Sequence, residues 1–228
     1  MLPIIAAIIA LGGTGTYAAY KRYKKNAQEE KIKEVEKRKN LSRFIVWGRP
    51  DTGKTTFVRG LRIGKGMGRK KEGTTGANVY EDVMITSLEG GPYKVAKVVD
   101  IPGTQDRFSD FLSYVKSFEH AFYLVNLAKL KDAHYIARVR SDITKTIEAL
   151  KASTSKRLNI IGTHVDESEW KNIQASEVNN VLQEDEIFRA LYESTTEVAG
   201  YVYVANLTDD VSFKQLLRSI VNDILARK

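Results

Sequence analysis

The chain has 228 residues, 43% of them hydrophobic and 28% charged, with no cysteine and a formal net charge of +8. That length and balance suit one globular domain with a sizeable core, and the missing cysteines exclude disulfides and thiolate metal sites. The charge is uneven: Lys21–Asn40 holds nine Lys/Arg against four Glu, and Met1–Tyr20 holds no charged side chain, which leaves Leu41–Lys228 at +3.

Leu2–Tyr20 is an uncharged run of 19 residues. As a helix it spans about 28 Å, close to the roughly 30 Å of a bilayer core. The cluster Lys21–Lys25 (KRYKK) follows at once and, by the positive-inside rule, keeps the rest of the chain in the cytoplasm. Residues 1–20 are therefore expected to form a single-pass membrane anchor, with Tyr17, Tyr20 and Tyr23 near the interface. A cleaved signal peptide fits less well, because the basic n-region is missing. A basic excess beside an apolar segment, and not on the folded domain, also argues against nucleic acid as the partner. Residues 21–40 read as a charged helical spacer, with Glu29–Lys33 and Glu34–Arg38 at the supportive i,i+4 spacing.

From Leu41 on, apolar β-rich runs alternate with helical patterns. Strands are expected at Arg43–Gly48, Asn78–Leu88, Tyr93–Asp100, Ala121–Leu127, Leu158–Thr163 and Tyr201–Leu207. Helices are expected near Lys54–Leu61, Phe108–Phe118, Lys131–Ala152 and Val178–Ser194 and at the C-terminus. Gly90–Gly91 signals a hairpin between the second and third strands. The alternation predicts an α/β fold: a sheet of about six strands, mostly parallel with one antiparallel pair, and helices on both faces.

Three motifs fall after predicted strands. Gly48–Thr55, GRPDTGKT, is the phosphate-loop pattern G-x-x-x-x-G-K-[ST], between a strand and a helix. Gly48, Asp51, Thr52, Gly53 and Thr56 belong to its phosphate cradle, Lys54 supplies a point charge to the β- and γ-phosphates, and the Thr55 hydroxyl is a Mg²⁺ ligand. Asp100 ends an apolar strand 45 residues after Thr55, where an acid that holds Mg²⁺ through water belongs, and Gly103 offers a backbone N–H to the γ-phosphate. Gly162–Asp166, GTHVD, ends another apolar strand. A carboxylate there accepts from both N1–H and the 2-amino group of guanine, a paired edge that adenine lacks, so Asp166 is the expected guanine-selecting residue. The bland alternative is an aspartate that caps the next helix.

In order and spacing, GKTT, TTGANV (Thr74–Val79), DIPG, THVD and VAN (Val204–Asn206) make Leu41–Lys228 resemble a Ras-superfamily small GTPase, Arf-like or Roc-like. The resemblance implies a P-loop NTPase G domain that binds GTP and GDP with Mg²⁺. It implies Thr74, with Thr75 as the substitute, as the switch threonine on the metal. It implies Ala205, followed by Asn206, as the backbone donor to guanine O6. Thr163 stands where the family has an asparagine that braces the phosphate loop, and His164 where it has a lysine whose stem covers the base. An N-terminal anchor, a short charged spacer and such a domain are similar in layout to the β-subunit family of signal-recognition-particle receptors.

The resemblance also implies a water-orienting glutamine directly after Gly103. Thr104 holds that position and Gln105 comes one residue late. Lys71 stands three residues before Thr74, where some relatives carry a catalytic arginine; Arg69 is the right residue at another offset. Thr104, Gln105 and Lys71 are thus the candidates for hydrolysis. The expectation is a membrane-anchored switch that hydrolyses GTP slowly and is accelerated by an effector or activating protein. The alternative is a GTP-holding docking module with little hydrolysis. An ATP-driven enzyme is disfavoured by Asp166.

Overall fold

The computed structural model describes residues 22–30, 39–67, 76–103, 108–115, 117–151, 156–173, 177, 180–181, 184–196, 198 and 200–227. The chain divides into two units, Met1–Asn40 and Leu41–Lys228. In the first, helix α1 (22–30) carries Lys25 and Glu29 3.8 Å apart at i,i+4. The predicted span Leu2–Tyr20 and the partners Lys33, Glu34 and Arg38 lie outside the described residues. Among the described residues no helix is long and apolar enough to cross a membrane.

The second unit runs β1 (Arg43–Gly48), α2 (Lys54–Ile63), β2 (Asn78–Ile85), β3 (Tyr93–Asp100), α3 (Phe108–Val115), β4 (His120–Asn126), α4 (Ala133–Lys151), β5 (Arg157–Thr163), α5 (Glu186–Thr196), β6 (Val202–Val204) and α6 (Asp210–Leu225). The sheet has six strands in the order β2-β3-β1-β4-β5-β6. Among the described strands only β2 runs antiparallel, against β3; the other neighbours pair in parallel. The α/β class and the mostly parallel sheet agree with the sequence pattern. Gly90–Gly91 does lie between the antiparallel pair, but Ile85 opposes Tyr93, so the connection is longer than a two-residue turn. Residues 180, 181 and 184 are helical as the periodicity suggests, but the helix breaks at Asp185, whose carboxylate accepts from the Phe188 N–H at 2.8 Å and caps α5.

Central strands are apolar on both faces because helices cover both. Phe44, Val46, Phe122 and Leu124 point to one layer, with Phe57 and Leu61 of α2 and Phe213 and Leu217 of α6. Ile45, Trp47, Tyr123 and Val125 point to the other, against Phe111, Val139, Ile143 and Phe188. Trp47 stacks on Phe111 with ring centroids 4.5 Å apart.

This order creates a switch point at β1. The chain leaving β1 turns towards β3, while the chain leaving β3 crosses to β4 on the other side. Parallel sheets open a crevice there, outside the carboxyl ends of the strands. Gly48, Asp100, Asn126, Thr163 and Val204, the last residues of β1, β3, β4, β5 and β6, are at that edge.

Candidate functional site

Gly53, the N-cap of α2, has φ 80°, which glycine adopts without the strain an L side chain would suffer. The loop before it therefore bends back so that α2 opens towards the crevice. Lys54 is only 7% exposed; its Nζ donates to the Arg49 carbonyl at 2.7 Å. Burial pushes the Lys54 ammonium down to about 8, against the opposing pull of Asp100 and Asp51. A charge held so far from water is set to pair with an anion. Thr52 is buried beneath the loop and its hydroxyl also donates to the Arg49 carbonyl, at 2.9 Å.

Next to Lys54, the Thr55 hydroxyl donates to Asp100 Oδ2 at 3.1 Å. Asp100 is 1% exposed, and its Oδ1 is buried with no hydrogen-bond partner among the described residues. Burial raises the Asp100 carboxyl above its usual range, while Thr55 and Lys54 pull it down. An orphaned buried carboxylate oxygen beside a threonine hydroxyl is an all-oxygen donor set suited to a hard divalent cation. These residues fit Mg²⁺. Gly103 closes this corner: a Cβ there would stand 2.5 Å from the Pro50 nitrogen and 2.7 Å from Lys54 Nζ, so only glycine allows the approach.

Two braces hold the loop from behind. The Thr163 hydroxyl lies 3.0 Å from the Thr52 carbonyl, 3.1 Å from that of Val125 and 2.9 Å from His164 Nδ1. Asn126 Nδ2 donates to the Asp51 carbonyl at 3.1 Å. A third tie runs sideways. Arg49 makes a part-buried ion pair with Asp142 of α4 at 2.7 Å, and Tyr123 donates to the other oxygen of that carboxylate at 2.8 Å. Burial drives the Tyr123 hydroxyl well above the ordinary tyrosine range, which keeps it a donor.

A small cleft adjoins the loop, lined by Gly53, Thr56, Thr163, His164, Asp166, Asn206, Leu207 and Thr208. His164 turns the chain out of β5 with φ 58°, and Asp166 sits exposed in the 3₁₀ turn Val165–Glu167. Six predicted residues from three chain segments therefore meet at one concavity. Ala205 is the exception. Its N–H donates to the Gly162 carbonyl at 2.9 Å, and the residue is buried, so its donor is spent within the sheet. The Asn206 N–H is taken by Ser212 Oγ at 2.9 Å, and its side chain accepts from the Thr208 N–H and hydroxyl. Leu207 N–H has no hydrogen-bond partner among the described residues.

Lys71, Thr74, Thr75, Thr104 and Gln105 lie outside the described residues. Sequence reasoning missed Asn126, Arg49, Asp142, Leu207 and Thr208. Asp142 carried a signal: it falls on the apolar stripe of α4 with Val139, Ile143 and Thr146, and a buried acid needs a buried partner. No protein-family model and no curated protein matches the chain.

Proposed function

We propose that Leu41–Lys228 is a small-GTPase-like P-loop G domain that binds GTP and GDP with Mg²⁺ and hydrolyses GTP slowly, as a switch tethered to a membrane by residues 1–20. The observation that carries this reading is the adjacency of two half-sites at one sheet edge. Lys54 and the Thr55–Asp100 pair stand beside a cleft that holds His164 and Asp166.

In this reading the loop backbone and Lys54 hold the β- and γ-phosphates, and Thr55 and Asp100 hold the metal, with Thr74 as a further ligand. The bound metal supplies charge neutralisation at the phosphates. Gly103 brings its backbone N–H towards the γ-phosphate. Asp166 accepts from guanine N1–H and the 2-amino group, His164 packs on the base, and Leu207 replaces Ala205 as the donor to O6. In hydrolysis, water attacks the γ-phosphorus as its bond to the β–γ bridging oxygen breaks, releasing GDP and phosphate. Thr104, Gln105 and Lys71 remain the candidates for assisting it.

The second reading, a GTP-holding docking module, is favoured by one observation: Thr104 follows Gly103 where the resemblance implies glutamine. Single-turnover hydrolysis of GTP by the purified chain separates the two, with bound nucleotide quantified in parallel. Turnover that falls in Gln105→Ala or Lys71→Ala supports the switch; stoichiometric binding without turnover supports the dock. Failure to retain guanine nucleotide, or its displacement by excess ATP, overturns both.

A further inference from the structure

The opposite end of the sheet holds a cleft of about 170 Å³, lined from the beginnings of β1, β4, β5 and β6 and the end of α6. That is well above the roughly 15 Å³ that one water needs. Two arginines line it, Arg157 at the start of β5 and Arg227 just beyond α6. Arg227 is held in place: its Nε donates to the Tyr201 hydroxyl at 2.8 Å, and its guanidinium lies 4.3 Å over that ring.

The carboxylates on the wall are already engaged. Glu119 takes hydrogen bonds from the backbone N–H and side chain of Arg43, and Asp223 accepts from the Tyr203 hydroxyl at 2.9 Å. Burial, reinforced by Asp223, pushes the Tyr203 hydroxyl above its usual range, so it stays the donor in that pair.

Asn159 is the odd residue. It sits inside the apolar strand β5 and is only 3% exposed. Its Oδ1 accepts from the Tyr201 N–H at 3.1 Å, which orients the amide, and its Nδ2 has no hydrogen-bond partner among the described residues. Asn159 is part of the lining of the cleft. An amide in the same lining as two guanidinium groups, one of which also donates to the Lys156 carbonyl at 2.9 Å, matches an acceptor with several oxygens and negative charge.

We propose that this cleft is a second ligand site, which binds a phosphate group through Arg157, Arg227 and the Asn159 amide. It is separate from the nucleotide site and does not depend on it. The same chemistry could be presented by free phosphate or by the headgroup of a phosphomonoester lipid.

The test uses the full chain in maltoside micelles, labelled with ¹⁵N at asparagine, with the Asn159 side-chain amide as a local reporter. Inorganic phosphate and dihexanoyl phosphatidic acid are titrated separately, and Lys54→Ala runs in parallel so that the phosphate loop does not supply the signal. A saturable shift is expected in both backgrounds. Equal affinities assign a soluble phosphate; at least tenfold tighter binding of the lipid assigns a headgroup. Arg227→Gln, at an exposed position, and Arg157→Gln should each move the midpoint at least fivefold. No saturable shift with either probe, or midpoints unchanged in both variants, overturns the site.

Discussion

Around the Gly48–Thr55 loop the polar groups are sealed in: Lys54 is 7% and Asp100 1% exposed, and Thr52 and Thr163 are fully buried. Across the same edge Asp166 stands exposed on a short turn, beside a loop whose contacts are mostly local. A sealed polar group must find a partner, so few residue types serve there. An exposed loop does not carry that demand. Affinity should therefore reside in the sealed half and selectivity in the open one.

Lys54→Ala gives the largest expected effect. Removing a buried cation from its anion costs about 4 kcal/mol, near a thousandfold, and the loss should be the same for GTP and for inorganic triphosphate. Calorimetric affinity within threefold of the parent would remove Lys54 from the site. Asp166→Asn comes next, because in the proposed complex it replaces an acceptor that faces two donors. The preference for GTP over ATP should drop by about a hundredfold, roughly 3 kcal/mol, with triphosphate affinity unchanged. Intact discrimination in competition binding would place base reading elsewhere.

The same contrast explains what the sequence disclosed. The turn from β1 into α2 was legible because its glycines, lysine and threonine meet fixed steric and electrostatic demands within eight residues, Gly48–Thr55. The sheet was legible because strands buried on both faces read as apolar runs, as in Phe44–Trp47. The backbone donor left open beside the cleft was not, because a backbone N–H leaves no mark on residue type. One further ladder bond, from Ala205 to Gly162, moves the available donor on to Leu207. The Arg49–Asp142 tie joins residues 93 positions apart, and only the packing of α4 beside the loop brings them together.

That tie allows the sealed half to be loosened without touching the base. Asp142→Ala leaves Arg49 without its carboxylate and Tyr123 without its acceptor. Breaking a pair this little exposed should lower stability by about 2 kcal/mol in denaturant unfolding. Affinity for GTP and ATP should fall together, with their ratio unchanged, and Asp142→Asn should lose less. A changed ratio would show that the two halves are coupled through α4.

The smallest expected effect is a dependence on pH that belongs to the sealed half alone. Without nucleotide, burial holds Lys54 at about 8, against an ordinary value of 10.5. Between these values the unfolded chain binds more protons than the folded one, so the stability of the nucleotide-free protein rises as pH rises from 8 towards 10.5. Binding runs the other way. Phosphate oxygens favour the charged lysine, so above pH 8 the complex must take up a proton. From pH 8 to 9 affinity should fall by up to tenfold, about 1.4 kcal/mol, with proton uptake approaching one in calorimetry across buffers of different ionisation enthalpy. Lys54→Ala should abolish the uptake, and Asp166→Asn should leave it intact. Uptake that persists without Lys54 would mean another buried group titrates on binding, with the raised carboxyl of Asp100 the next to test.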